Sequence, residues 1–343
     1  MKKKAAGHAK NQSFIIDTFR KYATVKSFVF LALSVIVIAF LISVIDIRAM
    51  AKSFSAADPL WLAASVALYA LSNLCKSMRY SIMVRNSGVS QGAMFSITSY
   101  QNFFNQILPA RTGELTLIYY LKKAGSSSVS KGLHVLIVTR IYDLIIVAVF
   151  FLASAVLFWG DKVNAGFLAA GCAALAVSIS SLFFLKWIVL YGYRFFRAAA
   201  KLFRLHKMAI YRKTEEKLEP FVHEFSDYKT VRQIPALVVS SVAVWIVLYA
   251  FAYACIRAFN VDIGLLANVV GNTGQVLANV LPVNSFGSLG TLEAGWVGGF
   301  LLVGMTKQDA ITTAFGYHII NFAAAALIAA PCWAVARLRG KQV

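Results

Sequence analysis

Six stretches of this chain run for roughly 20 residues with almost no charge: 27–46, 58–75, 133–158, 165–190, 236–256 and 310–334. That is the length an α-helix needs to cross a hydrocarbon core. With no water to satisfy backbone polar groups there, each stretch must be helical. Composition agrees. Mean hydropathy is +0.69, and 59% of residues are hydrophobic against 14% charged. A soluble domain carries roughly 25% charged residues. The expected fold class is therefore an all-α polytopic membrane protein with about six full transmembrane helices. A polar lead of about 26 residues precedes the first span, too long for a usual signal peptide, so that span is expected to be retained.

Two further apolar regions are broken in the middle. Region 92–121 is interrupted by Leu108-Pro109-Ala110-Arg111-Thr112-Gly113-Glu114, and region 264–305 by Leu281-Pro282-Val283-Asn284-Ser285-Phe286-Gly287-Ser288-Leu289-Gly290. If each is a re-entrant hairpin returning to its side of entry, the basic residues sort by side. The pieces 1–26, 76–91, 122–132, 186–235 and 335–343 then face the cytoplasm and hold 27 of the 34 lysines and arginines. Five fall in outer loops, while Arg111 and Arg140 lie at membrane depth. A single crossing by 92–121 would turn the basic stretch 186–235 outward, against the positive-inside rule. The reading is a multi-pass membrane protein with both termini cytoplasmic.

The same model makes the two halves echo each other. A basic N-terminus (1–26) precedes a first repeat over 27–160, containing hairpin 92–121. A second repeat over 161–338 contains hairpin 264–305, and 339–343 form a tail. Glu114 precedes Arg140 by 26 positions and Glu293 precedes His318 by 25. Thr139-Arg140-Ile141-Tyr142-Asp143 aligns with Tyr317-His318-Ile319-Ile320-Asn321, and Asn105 before Pro109 matches Asn279 before Pro282. Inverted-topology repeats with discontinuous helices near the midplane are a secondary-transporter architecture.

Of the 14 acidic residues, Glu114, Asp143 and Glu293 fall at probable membrane depth. Ionisable groups there cost about 2.5–3.5 kcal/mol on insertion scales, so they pair or line a polar path. Arg111 with Glu114 and Arg140 with Asp143 are each three residues apart and able to meet. The alternative is that these pairs only attach the hairpins to the bundle. The 109–114 turn, opening the second arm of its hairpin, offers free N–H groups and the Arg111 fork to an anion. Asn284, Ser285 and Ser288 give the second turn a similar capacity. The candidate substrate-binding set is thus Asn105, Arg111, Gly113, Glu114, Arg140, Asp143, Asn279, Asn284, Ser285, Ser288, Glu293, His318 and Asn321, with no catalytic residue. Glu293 has no lysine or arginine within ten positions on either side. It is the better candidate for a proton-coupled gate, with hydrogen bonding to the glycine-rich turn as the competing role.

No metal site, cofactor or disulfide framework is expected. Cys75, Cys172, Cys255 and Cys332 show no paired spacing, and the five histidines form no HExxH. The net charge of +20 sits in loops between spans, so nucleic acid is not the expected partner. The segment 192–234 places Arg194, Arg197, Lys201 and Arg204 at helical spacing among aromatic and aliphatic residues, which suits an amphipathic helix on anionic lipid.

Taken together, Asn105, the run Leu108 to Leu115, Arg140-Ile141-Tyr142-Asp143, and Leu281-Pro282 followed by Gly290, Glu293, Ala294 and Gly295 resemble the lysylphosphatidylglycerol synthase transmembrane (flippase-like) family over most of the chain. The resemblance implies a bacterial or archaeal plasma-membrane protein that moves or modifies lipids. In two-part members this region is linked to translocation of aminoacylated phosphatidylglycerol, and a separate soluble domain attaches the amino acid. Nine residues follow the last span, so no such domain is expected here. Two positions depart from the family pattern. Ser285-Phe286-Gly287-Ser288 replaces a Pro-Gly-Gly turn with one extra residue, and His318 stands where arginine is often found. The expected function is flipping of an anionic phospholipid or polyprenyl-phosphate-linked lipid between the two hairpins. The alternatives are a membrane-embedded headgroup transferase and a scaffold for a separate lipid-modifying enzyme. A homo-oligomer is compatible with either.

Overall fold

The computed structural model describes residues 52–84, 88–124, 128–163, 165–202, 215, 218–219, 221–222, 233–280 and 290–338, and within these not the side chains of 109–111, 167, 279–280 and 336–338. Nine α-helices and no strand are found among the described residues: α1 (Pro59–Met83), α2 (Gln91–Ile107), α3 (Leu115–Lys123), α4 (Val129–Trp159), α5 (Ala165–Leu202), α6 (Ile234–Ala258), α7 (Leu265–Val280), α8 (Thr291–Leu302) and α9 (Lys307–Leu338). A 3-10 segment, Pro109–Glu114, joins α2 to α3. Four helical stretches are long and apolar enough to cross a membrane: Val129–Lys162, Leu168–Leu202, Ile234–Ala258 and Lys307–Val335. The chain is therefore a multi-pass, all-helical membrane protein. The first predicted span, 27–46, and the N-terminus 1–26 lie outside the described residues.

Local chemistry explains the ends. Asp58 caps α1 by accepting the Leu60 N–H at 2.8 Å, and Pro59 occupies the first turn, where its missing N–H is harmless. Ser128 caps α4 through the Lys131 N–H at 3.1 Å, and Gly160, at φ 55°, ends it.

Two expected boundaries are corrected. The span predicted over 58–75 does not stop there but continues to Met83, so Lys76 and Arg79 sit on a helix instead of in a cytoplasmic loop. Those two cations also keep α1 below the apolarity of the four spans. In the second case, the predicted span 165–190 and the start of the amphipathic segment 192–234 form one uninterrupted helix through Leu202, because no glycine–proline signal separates them. Most of 203–234 lies outside the described residues.

Packing follows a reciprocal scheme. α1 lies along α6, and the two run antiparallel: the Asp58 N–H donates to Ala258 O at 2.8 Å, while Arg79 near the other end of α1 reaches Ser241 near the start of α6. α2 packs on α9 and α7 on α4; α3 packs on α4 and α8 on α9. The largest apolar cluster joins α1, α6, α8 and α9 around Phe251, Trp296 and Phe300, all at most 1% exposed. A second cluster holds α2, α3 and the start of α4 together around Met94, Ile97, Leu117 and Val135.

Each broken region is a pair of packed helices. In the second, α7 and α8 meet backbone to backbone. A Cβ on Gly295 would lie 2.8 Å from the Gly274 carbonyl, and one on Gly299 would collide with the Gly271 carbonyl. Only glycine permits that approach.

Candidate functional site

The first hairpin carries its polar groups to the junction of α1, α4 and α6. At the 3-10 segment the chain doubles back on itself. Gly113 is buried there, and a Cβ would meet Phe104 C at 2.6 Å as well as the Asn105 backbone, so the turn closes only with glycine. This closure sets Glu114 against α4, where it forms an ion pair with Arg140. The side chains of Arg140 and Glu114 are 44% and 17% exposed. The Arg111 side chain lies outside the described ones, so its predicted pairing with Glu114 does too.

Asp143, one turn along α4, keeps the expected ion pair with Arg140 and gains a closer partner. Arg140 approaches it only to 4.0 Å, whereas Arg79 from α1 does so at 2.6 Å, with a second contact at 3.4 Å. The reason is depth: Arg79 is 2% exposed and needs a buried anion, while Arg140 leans away toward Glu114. From α6, Trp245 Nε1 donates to Asp143 Oδ1 at 2.9 Å, and Arg79 also donates to Ser241 Oγ at 3.2 Å. Lys76 lies within electrostatic range of Asp143 and Arg140. Three cations, Lys76, Arg79 and Arg140, thus face two carboxylates, Asp143 and Glu114. The local balance is positive before Arg111 is counted.

Sequence reasoning missed Arg79, Ser241 and Trp245. For Arg79 there was a signal. Ser65, Tyr69, Ser72 and Asn73 form a buried polar and aromatic face on α1, and Arg79 and Tyr80 continue it at helical spacing. The Ser240-Ser241 pair and Trp245 on the apolar α6 gave none.

The second hairpin holds its carboxylate differently. Glu293 is 1% exposed, on the first turn of α8. One oxygen accepts the Gly290 N–H at 2.6 Å, the backward reach of a third-position glutamate that satisfies an orphan donor at the helix start. The other oxygen is 2.6 Å from His318 Nδ1 on α9. The contact expected of the hydrogen-bonding role is therefore present, and His318 supplies a titratable partner besides. Asn321, matching Asp143 in position, is 8% exposed. Asn284, Ser285 and Ser288 lie outside the described residues, as does the Asn279 side chain.

Asn105 stays at the first turn, its Oδ1 buried with no hydrogen-bond partner. Nearby, Asn102 bonds Asn73 of α1. Phe103 of α2 meets Phe322 of α9 with ring centroids 6.2 Å apart, which seats the first hairpin beside the helix that bears His318 and Asn321. Among the described residues no group of three or more His, Cys, Asp or Glu could hold a metal ion. The structure therefore brings together Gly113, Glu114, Arg140 and Asp143 with Arg79 in one cluster, and Glu293 with His318 in another.

No curated protein matches the sequence. Residues 27–329 do match the family model of the lysylphosphatidylglycerol synthase transmembrane region, and on that match the chain belongs to this family.

Proposed function

We propose that the protein flips an anionic phospholipid or polyprenyl-phosphate-linked lipid across a bacterial inner membrane, reading the phosphate at the first hairpin. The observation that carries this reading is Arg140. It sits seven residues into the predicted span 133–158, about 10 Å along the axis at 1.5 Å per residue. Yet its side chain stays 44% exposed while bound to Glu114. An arginine open at that depth faces a polar path or a ligand, because facing lipid tails is costly. The neighbouring excess of positive charge suits an anion.

The architecture supports the same reading. α3 and α8 have 9 and 12 residues, too short for the roughly 20-residue crossing, as re-entrant arms would be. Exchanging α1–α4 with α6–α9 maps the α2–α9 contact onto α7–α4 and the α3–α4 contact onto α8–α9. Equivalent helices α1 and α6 run antiparallel, as an inverted repeat requires. The basic stretches then place both termini in the cytoplasm.

The test uses proteoliposomes with a fluorescent anionic phospholipid and an impermeant quencher. Arg140→Gln is expected to slow lipid movement more than tenfold. Arg140→Lys should recover only part, because lysine keeps the charge and loses the planar fork. Wild-type rates in both variants would remove Arg140 from the phosphate role. A lipid chemically altered after incubation would favour a headgroup transferase instead.

A further inference from the structure

α7 presents three different faces. Gly271 and Gly274 meet α8, while Val269 and Val276 join the apolar cluster of Ile146, Trp245 and Tyr249. The third face carries Asn268, Asn272 and Gln275. These follow i, i+4, i+7 spacing and so form one stripe. Their exposures are 1%, 3% and 7%. Asn268 Oδ1, Asn272 Oδ1 and Gln275 Oε1 are all buried, and no hydrogen-bond donor reaches them.

One orphaned amide oxygen could be a reversed amide. At Asn268 the partner of the nitrogen argues against that. Asn268 Nδ2 donates to the Tyr249 carbonyl at 2.9 Å, and a carbonyl can only accept, so the Asn268 oxygen must point the other way. Gln275 lies beside the Tyr317 hydroxyl on α9, and its Oε1 is buried without a donor. Three buried acceptors without donors are expensive unless something electropositive meets them.

We propose that the Asn268, Asn272 and Gln275 oxygens bind a monovalent alkali cation between α7, α6 and α9. Burial excludes a ligand the size of a lipid headgroup. The oxygens are neutral, and no carboxylate belongs to the stripe, whereas calcium and magnesium sites draw on carboxylates. This inference stands whether or not the protein moves lipid.

The experiment is thermal unfolding of the detergent-purified full chain in sodium, potassium or choline chloride at equal ionic strength. Sodium or potassium is expected to raise Tm by several degrees in a saturable way over choline, since binding to the folded state alone stabilises it. The Asn272 side chain makes no hydrogen bond among the described residues, so Asn272→Leu should fold with the wild-type Tm in choline and lose the alkali response. Asn272→Asp should lower the half-saturating concentration about tenfold by adding a charged ligand. Equal Tm in all three salts would overturn the site, as would a response surviving Asn272→Leu. Should that variant fail to fold, an unchanged half-saturation in Asn272→Asp would overturn it equally.

Discussion

Around the first hairpin, Glu114 meets Arg140, and Asp143 meets Arg79 with Trp245 and Ser241 completing its shell. Around the second, Glu293 meets His318 and the Gly290 N–H, and Asn321 stands where the first half has Asp143. The residues occupy matching places, yet their chemistry differs. One half uses guanidinium groups that never lose their charge, and leaves one of them half open. The other uses an imidazole and encloses its carboxylate almost completely. Attachment differs too, since charge ties the first hairpin to α4 and glycine contact fuses the arms of the second. The proposed repeat would thus keep one backbone plan while changing the chemistry of its matched positions.

The comparison breaks most readily at Asp143. Asp143→Leu leaves the Arg79 guanidinium buried without a counter-charge and should destabilise the protein by about 3–5 kcal/mol. Chemical denaturation of the purified protein measures this. Replacing Arg79 with Met in the same chain should restore most of the loss, because an apolar pair of similar volume is tolerated where a lone charge is not. Failure of the double variant to recover would mean that Arg79 acts beyond its pairing.

A smaller effect is expected in the second half. Gly299→Val must displace the Gly271 backbone and should cost about 1–3 kcal/mol, whereas Gly298→Val, with nothing within 4 Å of its Cβ, serves as the control. Equal losses at the two positions would show that helix propensity, not the α7–α8 contact, sets the result.

The smallest effect on stability is expected at Glu293. Glu293→Gln keeps an acceptor and a donor for Gly290 and His318, so stability should change by less than about 1 kcal/mol. If Glu293 serves as a proton-coupled gate, lipid movement in this variant loses its response to a pH gradient. Normal movement with an intact pH response would confine Glu293 to holding the turn.

What was legible in the sequence had strong local punctuation. Leu108-Pro109 and the Gly113 turn mark the break between α2 and α3, and both hairpins appear as helix pairs at close to the expected boundaries. The 26- and 25-residue spacings of Glu114 with Arg140 and Glu293 with His318 are realised as two contacts. Pairings set by depth were not legible. Arg79 stands between Lys76 and Arg85, a pattern that reads as a basic loop, and only its helical register with Ser72 and Asn73 betrays a buried face. The Arg140–Asp143 pairing was inferred from adjacency, which says nothing about a third helix arriving with a better partner.

The seam between α7 and α8 has a mechanical consequence. With carbonyls of one arm seated against glycines of the other, the arms have no side-chain layer on which to slide. They must travel as one stiff lever. Any swing of its tip is then taken up at the fulcrum, where Val303 to Met305 close a tight turn and Gly304 sits at φ 85°. A side chain at Gly304 would be strained at that backbone angle, so the base of the pair keeps its tight turn only with glycine.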